Sequence, residues 1–309
     1  MTIPMKSLRA ALAFLVIVLS TLLHGVVLLV SAVFKALVPE GPARQAVRRW
    51  LTRIAESWIG VNNFLMSLDR STTLDVDLPA GLDHEGCYLV VSNHQSWVDI
   101  LVLQRCLNRR LPLLRFFLKR QLFWVPVLGL CWWALDFPFM RRATREQLAK
   151  NPSLRGRDLE SARRACELFR DVPVAMMSFP EGTRRKGGKA AANDEYRHLL
   201  LPKAGGLGQV IYALGDQLDA CVDVTIAYET RGEEGEPPEF WGLLRGDIDR
   251  IRVHMELLPI PAKLVGRDFT TDREARIELQ RWISDIWRDK DAMLDAWFSP
   301  SPDSPRTPR

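Results

Sequence analysis

The sequence predicts an α/β fold: a single domain built on a mixed, mostly parallel sheet flanked by helices, preceded by an N-terminal membrane-anchoring helix or two-helix motif. Three observations carry this. Apolar runs at Tyr88-Leu89-Val90-Val91 and Val174-Ala175-Met176-Met177 read as buried strands. Each is followed at once by a polar cluster, Asn93–Asp99 and Phe179–Arg184, and the C-terminal ends of strands are where open α/β sheets gather their chemistry. Further strand-like runs alternate with helical ones, as they do when helices cover a sheet.

The N-terminal element comes first. Between Arg9 and Lys35 lie about 25 residues without a formal charge, enough to cross a bilayer as a helix over about 10–34. A cleaved signal peptide is the competing reading, but the apolar core is long for one and no small-x-small site ends it. His24 inside this stretch reads as a neutral imidazole beside a helix bend at Gly25. A second helix over about 43–68 is amphipathic: Val47, Leu51, Ile54, Trp58 and Ile59 share one face and arginines another, as in helices lying in the membrane interface. Residues 1–70 therefore read as the anchor, either a span plus a surface helix or a hairpin in one leaflet. Positive charge is heavier after the first segment (Lys35, Arg44, Arg48, Arg49, Arg53) than before it (Lys6, Arg9), which favours a body on the cytoplasmic side.

The body is expected over 71–298. Ser71–Leu78 alternates like a strand and Pro79-Ala80-Gly81 turns it. After the strand Tyr88–Ser92 come a helix over Asp99–Leu107 and an apolar element over Leu111–Leu118. Gln121–Phe139 is crowded with Trp124, Trp132, Trp133, Phe137 and Phe139, but Pro126, Gly129 and Asp136 interrupt it, so a short lipid-touching or core segment is expected there. Arg145–Arg170 is a charged helical region broken at Asn151-Pro152. Val174–Phe179 and Cys221–Tyr228 are strands, Arg252–Leu258 a weaker one, and Thr271–Phe298 a closing amphipathic helix. Gly182–Lys189 and Thr230–Pro238 read as exposed loops, Gly205-Gly206-Leu207-Gly208 as a flexible turn, and 299–309 as a disordered tail rich in Ser and Pro.

Composition excludes several classes. The chain has 309 residues, 47% of them hydrophobic, so global disorder is excluded. Five scattered cysteines (Cys87, Cys106, Cys131, Cys166, Cys221) contain no C-x-x-C pair, which argues against a disulfide framework or a zinc site and for a reducing compartment. The net charge of +5 suits an anionic membrane face, a phosphorylated substrate or nucleic acid and does not choose among them. The basic residues are not gathered on one helix or interleaved with aromatics, so a nucleic-acid partner is not expected. No G-x-S-x-G elbow, H-E-x-x-H helix or G-x-G-x-x-G fingerprint occurs, and Gly187-Gly188-Lys189-Ala190 lacks the spacing and terminal hydroxyl of a P-loop.

The two polar clusters carry the chemistry. His94, just after a buried strand, is placed at a sheet edge, and Asp99, one helical turn on, can return to its imidazole and fix the tautomer. The other ring nitrogen is then free to take a proton from a hydroxyl. The same pair also suits a structural role capping the following helix. Glu181-Gly182-Thr183-Arg184 offers a turn glycine, a hydroxyl and a guanidinium suited to bidentate contact with phosphate; Arg185 and Lys186 read as a solvated basic loop.

Asn93–Asp99 resembles the N-H-x4-D block of the glycerolipid acyltransferases, the lysophosphatidate acyltransferase family, and Phe179–Arg184 matches that family's F-P-E-G-T-R block without a change. Lys119, Leu122, Pro126 and Gly129, followed by Phe139-Met140-Arg141, resemble the block between them. Val222–Tyr228 sits where the last block lies, with Thr225 and Ala227 in the area of the family's common proline, as in the subgroup acting on varied lysophospholipids. The resemblance covers about residues 85–230. It implies acyl transfer from a thioester, acyl-CoA or acyl carrier protein, to a glycerolipid hydroxyl, with no cofactor, metal or covalent enzyme intermediate. It implies His94 as general base and Asp99 as the group that orients it. Glu181, Gly182, Thr183 and Arg184 would hold the acceptor's glycerol-phosphate, with Lys119 and Arg141 adding positive charge and Asn93 a hydrogen bond or a helix cap. The expected partners are a phospholipid membrane, a lysophospholipid acceptor and the acyl thioester, at the bacterial inner membrane or another membrane facing the cytoplasm. Lysophosphatidate is the default acceptor; lysophosphatidylglycerol, lysophosphatidylinositol and lysocardiolipin-like species stay open. A non-catalytic lipid binder is the other class, and intact His94 and Asp99 count against it.

Overall fold

The computed structural model describes residues 3–140, 163–167, 169–170, 172–184, 195–231, 237–269 and 271–299. Two long helices lead: α1 (Ile3–Leu37) and α2 (Pro42–Ser67). Strands β1 (Thr73–Asp77) and β2 (Cys87–Ser92), helix α3 (Val98–Leu107) and strands β3 (Leu114–Phe116) and β4 (Leu118–Lys119) follow. Then come helix α4 (Leu128–Ala134) and strands β5 (Phe139–Met140) and β6 (Val174–Ser178). Helix α5 (Gly205–Leu214), strand β7 (Ala220–Thr230), helix α6 (Phe240–Arg245), strand β8 (Ile248–Leu258) and helix α7 (Arg273–Phe298) complete the chain.

Six strands form one sheet in the order β1-β8-β7-β2-β6-β3, and only the β7–β8 pair is antiparallel. The expected mixed, mostly parallel sheet is therefore present. All six residues of β2 are buried, because helices cover both of its faces; such strands read as continuous apolar runs without alternation. On one face Leu89, Val91 and Met176 pack against Leu207, Val210 and Ile211 of α5 and against Leu279, Ile283 and Trp287 of α7. On the other, Val90, Ala175 and Met177 pack against Val98, Val102 and Leu103 of α3. Lys290 of α7 is itself buried: its ammonium reaches Asp223 (2.9 Å), the Val224 carbonyl (2.7 Å) and Thr225 Oγ1 (3.0 Å), riveting α7 to β7.

Register places the two polar clusters side by side. β2 and β6 are parallel neighbours with Val91 opposite Ser178, so the chain leaves both strands at the same edge of the sheet. His94 and Glu181 emerge there from positions far apart in sequence.

The hairpin of α1 and α2 lies along the flank of this body. Trp58 donates to Thr21 Oγ1 (3.0 Å) and Trp50 to Ser31 Oγ (3.2 Å), which sets the two helices antiparallel. Leu28 and Ala32 bury against Leu51, Ile54, Ala55 and Ile59, the face expected of α2. Near its start α1 is held by Lys6 to Asp247 (3.6 Å) and Arg9 to Asp69 (3.3 Å), with Phe14 against Trp241. Near its end Lys35 reaches Asp136 (2.6 Å) and the Ala134 carbonyl (2.8 Å). The Trp-rich segment forms a short helix seated on α1 at Gly25, where a Cβ would lie 2.6 Å from Val127. Trp124 and Trp133 stay exposed.

Some expectations are corrected. Gly205-Gly206-Leu207-Gly208 is not a flexible turn but the first turn of α5, because burial of Leu207, Val210, Ile211 and Leu214 outweighs the low helix propensity of glycine. Leu111–Leu118 is not one element; β3 pairs with β6 and β4 with β5. The weak strand over Arg252–Leu258 is an eleven-residue strand beginning at Ile248. Helix α6 had no signal in the pattern. Most of Arg145–Arg170, the outer parts of both expected loops and residues 300–309 lie outside the described residues.

Candidate active site

His94 sits two residues past the end of β2, with its ring stacked flat on Phe179 (centroids 3.9 Å apart, planes 13° from parallel). Its Nδ1 is 2.8 Å from Asp99 Oδ2. The same oxygen accepts the backbone N–H groups of Gln95 (2.6 Å) and Ser96 (2.9 Å). The other, Oδ1, accepts the hydroxyl of Tyr228 on β7 at 2.6 Å. Asp99 is fully buried and serves only as an acceptor, which assigns the hydrogen on the imidazole to Nδ1. Nε2 then carries a lone pair and makes no hydrogen bond among the described residues. Burial pushes the Tyr228 phenol well above its ordinary pKa, and the adjacent Asp99 carboxylate adds to this, so Tyr228 remains a donor.

Asn93 is fully buried, and its amide donates to the Ile226 carbonyl (2.9 Å) while accepting the Ile226 N–H (2.9 Å). Beyond Ser92, where β2 ends, the side chain of Asn93 continues the ladder with β7. It occupies the place of a strut and caps no helix. Gln95 Nε2 adds a second bond to the Ile226 carbonyl (3.0 Å).

The second cluster turns at Gly182, whose φ of 70° lies in the left-handed region open to glycine. Glu181 is buried, and its carboxylate accepts the His94 backbone N–H at 3.4 Å; it ties one cluster to the other. Thr183 and Arg184 are exposed, and the Arg184 guanidinium lies 4.7 Å above the ring of Trp97. Lys203, which the pattern did not single out, donates to the Pro180 carbonyl from its backbone (2.9 Å) and approaches the Glu181 carbonyl with Nζ (3.5 Å). It brings a further cation to this turn. Lys119 is exposed on β4 and forms no ion pair among the described residues; Arg141 lies outside them. The structure thus brings together His94, Asp99, Asn93 and the Glu181–Arg184 turn. Reading the sequence named Phe179 and Tyr228 only as members of their blocks and missed their roles, because Phe179 follows β6 and Tyr228 lies on β7, and nothing local ties either to His94 or Asp99.

A His–Asp pair with a free ring nitrogen at a strand edge, beside a basic turn, is an arrangement suited to acyl transfer, and the Acyltransferase family model matches residues 74–229, just over half of the chain. The protein belongs to the acyltransferase family. It is 25% identical over 268 residues to "Lysocardiolipin acyltransferase 1" of Danio rerio, covering 82% of this chain and 63% of the relative. It is 23% identical to "1-acyl-sn-glycerol-3-phosphate acyltransferase epsilon" of Mus musculus (74% and 62%) and 24% identical to "2-acyl-1-lysophosphatidylinositol acyltransferase" of Saccharomyces cerevisiae (68% and 61%). The chain thus spans about three-fifths of the length of these relatives. Its fold matches the crystal structure of the 1-acyl-sn-glycerophosphate acyltransferase PlsC from Thermotoga maritima, with a TM-score of 0.51, 16% identity and coverage of 96% of this chain and 100% of that one.

Proposed function

We propose that this protein moves a fatty acyl group from a thioester, acyl-CoA or acyl carrier protein, to the free hydroxyl of a lysophospholipid, with 1-acylglycerol-3-phosphate as the first acceptor to test. One observation carries the reading: the Nδ1 side of His94 is locked by Asp99, Nε2 is left unbonded, and the His94 backbone N–H is tied to Glu181 at the head of the Glu181–Arg184 turn. Nε2 takes the proton of the acceptor hydroxyl while its oxygen attacks the thioester carbonyl. The tetrahedral adduct collapses, the C–S bond breaks, and the imidazolium returns its proton to the departing thiolate. Asp99 steadies the imidazolium without receiving the proton. Arg184 faces the acceptor phosphate, where a guanidinium fork matches two oxygens. Glu181, Gly182 and Asn93 set the shape of the pocket. The relatives named for lysocardiolipin and lysophosphatidylinositol keep those headgroups as rival acceptors.

The hairpin supplies the lipid surface. At 1.5 Å per residue α1 is about 50 Å long, well beyond a hydrocarbon core of about 30 Å. Ion pairs tie residues near both of its ends to the same body. Leu8, Leu12, Leu15, Leu19, Leu23 and Val26 point outward. These features support a hairpin seated in one leaflet with the pocket at headgroup level, and the heavier positive charge after α1 favours the cytoplasmic side.

The test is thiol release from acyl-CoA by the detergent-solubilised protein across a panel of lysophospholipids, with His94→Ala beside it. Release that needs one acceptor and drops by about 10²–10⁴ in the variant supports the reading. Full activity in His94→Ala sinks the assigned base. No release with any acceptor, from acyl-CoA or acyl carrier protein, returns the protein to the lipid-binding class.

A further inference from the structure

A cavity of about 310 Å³ lies at the other end of the sheet from His94. Its walls are the approaches to β2 and β6, the start of β3, the end of α4 and one face of α2. With about 3.3 Å of rise per residue, β2 puts roughly 20 Å between this cavity and the dyad. Four arginines line it, Arg48, Arg49, Arg53 and Arg115, together with the carboxylates of Glu56, Glu85 and Asp136.

The carboxylates have partners besides the arginines. Lys35 holds Asp136 at 2.6 Å, and His84 lies 2.8 Å from Glu56 and 3.6 Å from Glu85. The arginines are less fully matched: of the four, only Arg48 has carboxylates within ion-pair distance among the described residues, Asp136 at 3.6 Å and Glu40 at 3.7 Å. Arg49 and Arg53 form no ion pair or hydrogen bond among the described residues. Arg115 uses Nε on the Leu135 carbonyl (3.2 Å) and its face on Phe169 (4.9 Å), which leaves both Nη groups unbonded. Burial pushes its pKa down to about 10. Arg48 comes no closer than 3.6 Å to a carboxylate, and its Nε is buried without a hydrogen bond. Arg49 and Arg53 are exposed at the mouth, while Arg115 is partly withdrawn from water with no ion pair among the described residues, a costly placement for a guanidinium.

We propose that this cavity binds a phosphate group, carried by an anionic lipid headgroup or by a soluble phosphate. Planar guanidinium forks on two walls match phosphate oxygens bidentately, and the phosphate brings the negative charge that faces them. The exposed Trp50 beside Arg49, and Phe34 and Leu37 at the end of α1, offer apolar surface for the chains of a lipid. The lipid source rests on the membrane seat of the hairpin proposed above; the phosphate site itself does not.

The test titrates inorganic phosphate into the full-length protein in a neutral detergent, by calorimetry, using wild type, Arg184→Ala, Arg115→Gln, Arg53→Gln and the exposed control Arg281→Gln. The expected result is a saturable site that survives Arg184→Ala and weakens about tenfold or more in Arg115→Gln and Arg53→Gln, with Arg281→Gln unchanged. Dihexanoyl phosphatidylglycerol that displaces the phosphate identifies a headgroup site; failure to displace it identifies a soluble phosphate. Should Arg115→Gln fail to fold, Arg53→Gln carries the test, since Arg53 lies on the exposed rim and bonds to nothing described. Loss of saturable binding in Arg184→Ala, or equal weakening in Arg281→Gln, overturns the proposal.

Discussion

The hydroxyl of Tyr228 donates to Asp99 Oδ1 at 2.6 Å, on the oxygen that His94 does not use. Tyr228 is therefore a positioning residue that acts through Asp99. In Tyr228→Phe, Oδ1 is left buried without a donor, and the unshared charge strengthens the hold on the imidazolium. The acid limb of the pH–rate profile is expected to move to higher pH, with acceptor KM little changed. A kcat loss with an unmoved profile restricts Tyr228 to packing.

Asn93→Ala removes the amide that bonds both backbone groups of Ile226; Gln95 still reaches the carbonyl, so the Ile226 N–H is the group left orphaned. An orphaned buried group of this kind costs about 1–3 kcal/mol. Denaturant melts are expected to show a loss of that order, together with reduced turnover because His94 follows directly in the chain. Unchanged stability refutes the strut.

Arg184→Ala is expected to raise the acceptor KM at least about tenfold while the donor KM stays put, the signature of lost ground-state binding. Trp97→Ala, which removes the ring beneath the guanidinium, moves the same parameter by less. Equal effects on donor and acceptor contradict a phosphate role.

Lys290→Met leaves Asp223 without its ammonium partner inside the body. Breaking a buried pair on one side costs about 3–5 kcal/mol. Burial already raises the Asp223 pKa, with Lys290 opposing that rise, so the variant moves it further up. The folded state then binds a proton more tightly than the unfolded chain. The penalty is full above the folded pKa, shrinks as pH falls through it, and vanishes below the unfolded value near 3.9. Thermal melts against pH check this, and a pH-independent loss argues against the ion pair.

Gly25→Leu drives a side chain into Val127, which already lies 2.6 Å from an added Cβ. The variant is expected to unseat α4 from α1, lower the melting temperature and shift tryptophan fluorescence through Trp132 and Trp133. A native spectrum and unchanged melting refute the close seat.

Much of the architecture was legible in the residues alone. The apolar runs over β2 and β6 mark central strands because both faces are covered, and the closing helix Arg273–Phe298 shows in its spacing. The dyad was legible from short spacing: five positions separate His94 from Asp99, a reach that the loop leading into α3 closes. The Glu181–Arg184 turn declared itself by its residue types. Glycines at 205, 206 and 208 hid α5, since its helix depends on burial against the sheet and little on its own propensity.

What the sequence by itself determined is thus whatever local periodicity and short spacing encode: the strands, the amphipathic helices, the dyad and the basic turn. The tertiary structure alone decided that Tyr228 completes Asp99 across 129 positions, that Phe179 floors His94, and that Asn93 is consumed by Ile226. It also decided that α1 runs along the body, held near both ends, and that arginines of α2 meet Arg115 around one cavity. Such contacts arise when packed layers and strand register bring distant segments together, and neither spacing nor composition along the chain records that.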